Sequence, residues 1–203
     1  KYSTDMEMHR DDIGARLGMW IFIFTEILLF GGLFLVYAVM RNRYSVEFHQ
    51  AAHQLNAFIG TLNTVVLLLS SATVAMSVTA VQRGEKRKGV MFILITLVCA
   101  GIFLFNKYLE WGHKISIGLY PGSEMMIGLK YGYILFFSLY FFMTGLHMLH
   151  LLVGSIILTI VMVKIQIGTI NAGKYTLLEN GGLYWHLVDL IWIFLFPLLY
   201  LIT

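Results

Sequence analysis

"MWIFIFTEILLFGGLF", residues 19–34, decides the fold: sixteen residues of almost unbroken apolar character hold a single ionisable side chain, Glu26. A spanning helix needs about 20 mostly apolar residues. Extending the stretch in both directions gives one from Leu17 to Met40, and four more runs of the same kind follow, at 55–81, 90–111, 133–163 and 183–202. The fourth would be about 46 Å long as a helix, so it must tilt or protrude from a hydrocarbon core about 30 Å thick. The composition agrees. Of 203 residues, 59% are hydrophobic and 12% are charged, with a mean hydropathy of +0.79. Soluble domains carry about 25% charged residues. The expected fold is all-α, an integral membrane bundle of five transmembrane helices in a single membrane domain. No stretch alternates as a membrane β-barrel strand would, and no repeat or low-complexity tract is evident.

Charge placement predicts the orientation. The loop "QRGEKRKG" holds Arg83, Lys86, Arg87 and Lys88. With five alternating spans it shares a side with Lys1, Arg10, Arg16, Lys164 and Lys174, while Arg41, Arg43, Lys114 and Lys130 lie opposite, with Lys107 near the end of span three. The N-terminus is therefore expected inside and the C-terminus outside. The formal charge of +3 is small and scattered over short loops, which excludes nucleic acid as a partner. The single cysteine, Cys99, lies in an apolar run as a packing residue and leaves no intrachain disulfide. The polar first residues do not resemble a cleavable signal peptide. Because the chain begins at Lys1, residues upstream of it are expected.

A carboxylate at mid-bilayer costs about 2.5–3.5 kcal/mol, so Glu26 should face protein and carry a function. Two readings stay open: a neutral acid hydrogen-bonded to a neighbouring helix for packing, or a proton-handling group. Span four contains "TGLHMLHLLVG", which sets His147 and His150 on one helix face. His150 lies about 15 Å deep and His147 about 20 Å, against about 14 Å for Glu26, so Glu26–His150 is the preferred pair. The histidines could instead hold haem or metal, with His186 as a partner. However, His186 begins span five, about 10 Å shallower, and no cysteine is at hand for zinc.

Span five opens "ENGGLYWHLVDLIWIFLF". Tyr184 and Trp185 read as interfacial anchors. His186 and Asp189 share a face, with Glu179 one or two turns earlier, as a polar network capping the helix or as chemistry. Lys107 and Glu110 read as a snorkelling ion pair, and His49 and His53 as residues of a solvated loop. Asn63, Thr64, Ser70, Ser71 and Thr73 suit close helix packing. There is no nucleophile with its base, no phosphate loop and no open metal triad. That leaves an accessory subunit of a larger complex, a small transporter or a haem-carrying membrane protein, and the broken helices in repeated halves of a transporter are not seen.

Separate blocks in the same order carry a resemblance, among them "RLGMWIFIFTE", "LNTVVLLLSS", "TGLHMLHLLVG" and "ENGGLYWHLVDLIWIFLF". The chain resembles subunit III of the haem–copper oxidases, in the short five-helix bacterial form. The resemblance implies an accessory subunit without haem or copper of its own. It would pack on subunit I, which carries the redox centres, beside subunit II and other subunits, in a bacterial inner membrane. The complex would reduce oxygen to water and pump protons. Glu26 would be the carbodiimide-reactive acid that supports proton uptake into subunit I, and phospholipid would bind between the helices. An oxygen entry route has also been suggested in this family. Arg16, Asn63 and Trp185 are the expected lipid or subunit contacts. One departure stands out: Lys107 replaces the glutamine usual in the family. Related five-helix proteins accompany nitric oxide reductases, an alternative the motifs leave open.

Overall fold

The computed structural model describes residues 2–201, so Lys1 and the last position of the expected fifth span, 202, lie outside the described residues. Seven helices follow one another: α1 (Tyr2–Arg43), α2 (Ser45–Ala52), α3 (Ala57–Gln82), α4 (Lys86–Ser116), α5 (Glu124–Ile127), α6 (Tyr131–Gln166) and α7 (Thr176–Tyr200). Five stretches within them are long and apolar enough to cross a membrane: Ile13–Arg43 and the whole of α3, α4, α6 and α7. The helices overrun the apolar spans. In particular, α7 starts at Thr176, and residues 45–52, which read as loop, form α2. Helical hydrogen bonding continues past the lipid-like side chains because it satisfies the backbone locally, whatever surrounds it.

α3, α4, α6 and α7 pack as a four-helix unit, and α1 lies against α7 and α6 with α2 beside it. The buried positions follow alternating three- and four-residue steps, the seam of nearly parallel helices. In α4 they run Ile93, Thr96, Ala100, Phe103, Lys107, Glu110, Lys114. On α1 only Ile23, Phe30 and Tyr37 are buried among the described residues, so this helix presents most of its surface outward. In lipid, apolar contact alone does not drive helices together, and small or polar side chains take over. Thr73 and Thr96 hydroxyls meet at 2.7 Å, Ser77 donates to the Gly89 carbonyl at 2.9 Å, and Asn106 Nδ2 donates to Asn63 Oδ1 at 2.8 Å. These bonds all join α3 to α4.

The helix ends are closed by local chemistry. The Asn56 side chain accepts from the Phe58 and Ile59 amides at the start of α3. At its other end Gly84 (φ +80°) donates to Val81 O while Glu85 donates to Ala80 O, a Schellman closure that needs the left-handed glycine. The end of α7 is closed from outside: the Tyr37 hydroxyl of α1 donates to the Leu198 carbonyl.

Candidate functional site

Glu26 lies on the inward seam of α1, between Ile23 and Phe30, about 20 Å along the helix from Ile13. Its Oε2 is 3.0 Å from His150 Nε2 on α6, and the two side chains are 13% and 12% exposed. The approach is that of an ion pair rather than an aligned hydrogen bond, since that oxygen has no hydrogen-bond partner. His150 Nδ1 is 2.8 Å from the Leu146 carbonyl. A carbonyl only accepts, so Nδ1 carries hydrogen. Nε2 is then either a lone pair facing a neutral carboxyl or the second N–H of an imidazolium facing a carboxylate. In either arrangement the pair holds one proton and has no net charge. This avoids the isolated charge that lipid penalises. Phe30 closes over the imidazole, with centroids 5.4 Å apart.

His147 shares the helix face but not the contact. It is fully buried inside the four-helix unit, between Phe103 and Trp192 at centroid distances of 5.5 and 5.2 Å, and neither ring nitrogen has a partner among the described residues. The boundary between the unit and α1 passes between the two histidines. One faces inward and the other faces α1.

The expected network on α7 divides into separate contacts. Glu179 pairs with Arg16 Nη2 at 2.8 Å, tying α1 to the start of α7, and Asn180 Nδ2 reinforces this by donating to Ala15 O. His186 Nδ1 meets Ser71 Oγ at 2.6 Å. Asp189 is buried with neither carboxyl oxygen partnered. Helical spacing put these side chains near one line, but Glu179 turns to Arg16 and His186 to Ser71. A cavity of about 440 Å³ opens between α1, α3 and α7, lined by Arg16, Trp20, Asn180 and His186 among others.

Four expectations are corrected. Trp185 is fully buried and donates to Ser70 Oγ at 3.0 Å, and Tyr184 is buried with its hydroxyl on the His150 carbonyl. Neither is an interfacial anchor, because α7 begins more than a turn before them and turns them towards α3 and α6. Asn63 is likewise buried, accepting from Asn106 as a residue of close helix packing, whereas Arg16 is exposed. His49 and His53 belong to α2 and its C-cap, not to a loop.

The fourth correction concerns Lys107, which does not snorkel. Its ammonium is fully buried. It reaches Glu110 Oε2 at 3.1 Å, donates to the Tyr200 hydroxyl and lies 3.5 Å from that of Tyr140. Both phenols donate to Glu110 Oε1. The ammonium also stands 5.2, 5.0 and 5.1 Å from the rings of Tyr140, Trp192 and Tyr200. The signal was in the sequence: the three–four steps that bury Ala100 and Phe103 continue through Lys107 and Glu110.

Five apolar spans, with ionisable groups paired across helices inside them, define a multi-pass helical membrane protein whose polar contacts hold helices together. Comparison with known proteins narrows this. Residues 4–203 match the family described as Cytochrome c oxidase subunit III. The chain is 31% identical over 188 residues to cytochrome c oxidase subunit 3 of Thermostichus vulcanus, covering 92% of this chain and 87% of that protein. It is 30% identical over 207 residues to the probable quinol oxidase subunit 3 of Staphylococcus epidermidis, covering 98% and 94%. A heme-copper oxidase subunit I+III of Aeropyrum pernix matches at 31% over 92% of this chain and 22% of that protein. The chain belongs to the cytochrome c oxidase subunit III family of the haem–copper terminal oxidases.

Proposed function

We propose that the chain is the accessory, non-redox subunit of a proton-pumping bacterial oxidase, packed on subunit I, stabilising it and supporting its proton uptake. The observation that carries this reading is the Glu26–His150 contact. A carboxyl and an imidazole 3.0 Å apart in a largely buried seam can exchange one proton between them without a net charge in lipid, and the pair is left with a single negative charge only while that proton is handed on. The single-chain subunit I+III relative supports contact with subunit I, since fusion keeps the two partners together. The basic loop at 83–88 supports an inside N-terminus and an outside C-terminus. The cavity beside Arg16, with exposed Trp20, His186 and the Arg16-paired Glu179 on its wall, leaves room for bound phospholipid. The electron donor, cytochrome c or quinol, is read by other subunits.

The test is Glu26→Ala in the purified complex. Assembly should be retained, while the rate at which activity is lost during turnover changes and carbodiimide labelling of this chain disappears. Unchanged inactivation kinetics together with unchanged labelling would overturn the proposal. Exchanging the groups, Glu26→His with His150→Glu, should restore part of what either single change loses.

A further inference from the structure

At the end of the bundle opposite the 83–88 loop, α2 carries a feature that the proposed function does not use. His49 lies in the last turn of α2, and His53 is its C-cap with helical dihedrals (φ −59°, ψ −18°), so the two stand one turn apart on the same face. Their Nε2 atoms are 3.2 Å apart, with ring planes at 88° and centroids at 4.6 Å. Two nitrogens bound to one divalent ion at about 2.0–2.1 Å are about 3.3 Å apart in tetrahedral geometry and about 2.9 Å apart when cis in a square plane. The observed separation falls between these values. We propose that His49 and His53 form a two-histidine site for a borderline divalent transition-metal ion, of the class of Zn²⁺, Cu²⁺ and Ni²⁺.

Three further observations support the assignment. The facing nitrogens cannot both carry hydrogen in a bonded contact, so at least one presents the lone pair that a metal requires. The backbone is held on both sides of the pair. Phe48, Ala51 and Ala52 are buried, and the Gln54 carbonyl accepts from the Lys114 ammonium. Binding therefore needs little ordering of the chain. Finally, His53 is exposed and lines a cavity of about 720 Å³ together with Glu110, His113 and Lys114, although His49 is not on its wall, so the His53 side of the pair is open to solvent. Among the described residues no set of three or more His, Cys, Asp or Glu gathers for a metal. The expected site is thus a labile two-nitrogen chelate, and it stands independently of the role given to Glu26.

The experiment is a Cu²⁺ titration of the intact complex, read by electron paramagnetic resonance, with Zn²⁺ and Ni²⁺ as competitors. The wild-type signal should show two imidazole nitrogens. His49→Gln and His53→Gln should each lose one of them and weaken binding at least about tenfold, because the second ligand of a chelate acts at high effective concentration. His113→Gln should change affinity by less than about twofold, since it supplies neither nitrogen. If Cu²⁺ binds equally well to His49→Gln and to His53→Gln, or if wild-type copper carries a single nitrogen, the two rings are only a hydrogen-bonded pair and the proposal is overturned.

Discussion

Lys107 shows how far one side chain can depart from what its type suggests. An ammonium within reach of a membrane surface usually extends towards water. Here the helix seam turns it inward, and the sealed cluster works only because every donor has an acceptor. The lysine meets Glu110 and both phenols, and the phenols meet the carboxylate. Removing one partner of a buried pair leaves the other charge without compensation, at a cost of about 3–5 kcal/mol. Lys107→Met should therefore lower the unfolding midpoint of the complex sharply. Lys107→Met combined with Glu110→Leu should recover much of the loss, because replacing both partners removes the stranded charge. Equal losses in the single and double variants, measured by thermal unfolding in detergent, would refute this account. Glu26 and His150 form a pair of a different kind, half-buried at a seam between helices rather than sealed within the core.

At the scale of the helix, α1 is fastened to the rest at points of unequal strength. Arg16 and Glu179 are 53% and 27% exposed, so their ion pair should contribute about 0–1 kcal/mol and weaken in salt. The fully buried Tyr37, bonded to the end of α7, should matter more. Tyr37→Phe leaves a helix-terminal carbonyl without its donor, a loss of about 1–2 kcal/mol. Glu179→Gln should move the unfolding midpoint less than Tyr37→Phe does, and the reverse order would show that the exposed pair is the stronger fastening. The existence of the five spans was legible from apolar run length, because lipid thickness sets that length directly. The extent of the helices was not. α2 and the first turn of α7 are helix built from residues of mixed polarity, where hydropathy carries no signal. The destinations of Trp185 and Lys107 were missed for a related reason: residue type was weighed above seam position, and the three–four spacing in α7 and α4 was the better guide. His186 and Asp189 show a limit of spacing itself, since on one shared face His186 is bonded to Ser71 while Asp189 has no hydrogen-bond partner among the described residues.

Taken whole, the molecule turns a large apolar surface outward on all its long helices, α1 included, where Ile13, Leu17, Trp20, Phe24 and Leu28 are exposed. Such a surface faces either lipid or another subunit. The four tryptophans distinguish the two environments. Trp20 is 59% exposed, whereas Trp185 and Trp192 are fully buried. In the chain reconstituted alone, brominated lipid should quench Trp20 fluorescence strongly and leave Trp185 and Trp192 nearly untouched, measured in single-tryptophan variants. Loss of the Trp20 quenching in the complete oxidase would place this face of α1 against a neighbouring subunit. Retention would assign it to lipid, and strong quenching of Trp185 would contradict the packing described above.

The hydroxyl of Tyr37 has a consequence for how the chain is made. Its acceptor, Leu198, lies 161 residues further along, and the partner of Arg16 lies 163 residues away. Ribosomes add about 5–20 residues per second, so the first span waits roughly 8–32 seconds before its last helical partner emerges. For the earlier part of that interval, until α6 is made, Glu26 lacks the imidazole of His150. The nascent subunit thus carries an unmatched acid in the bilayer until its fourth span arrives, and any assembly factor or insertase that attends it has its task at that stage of synthesis.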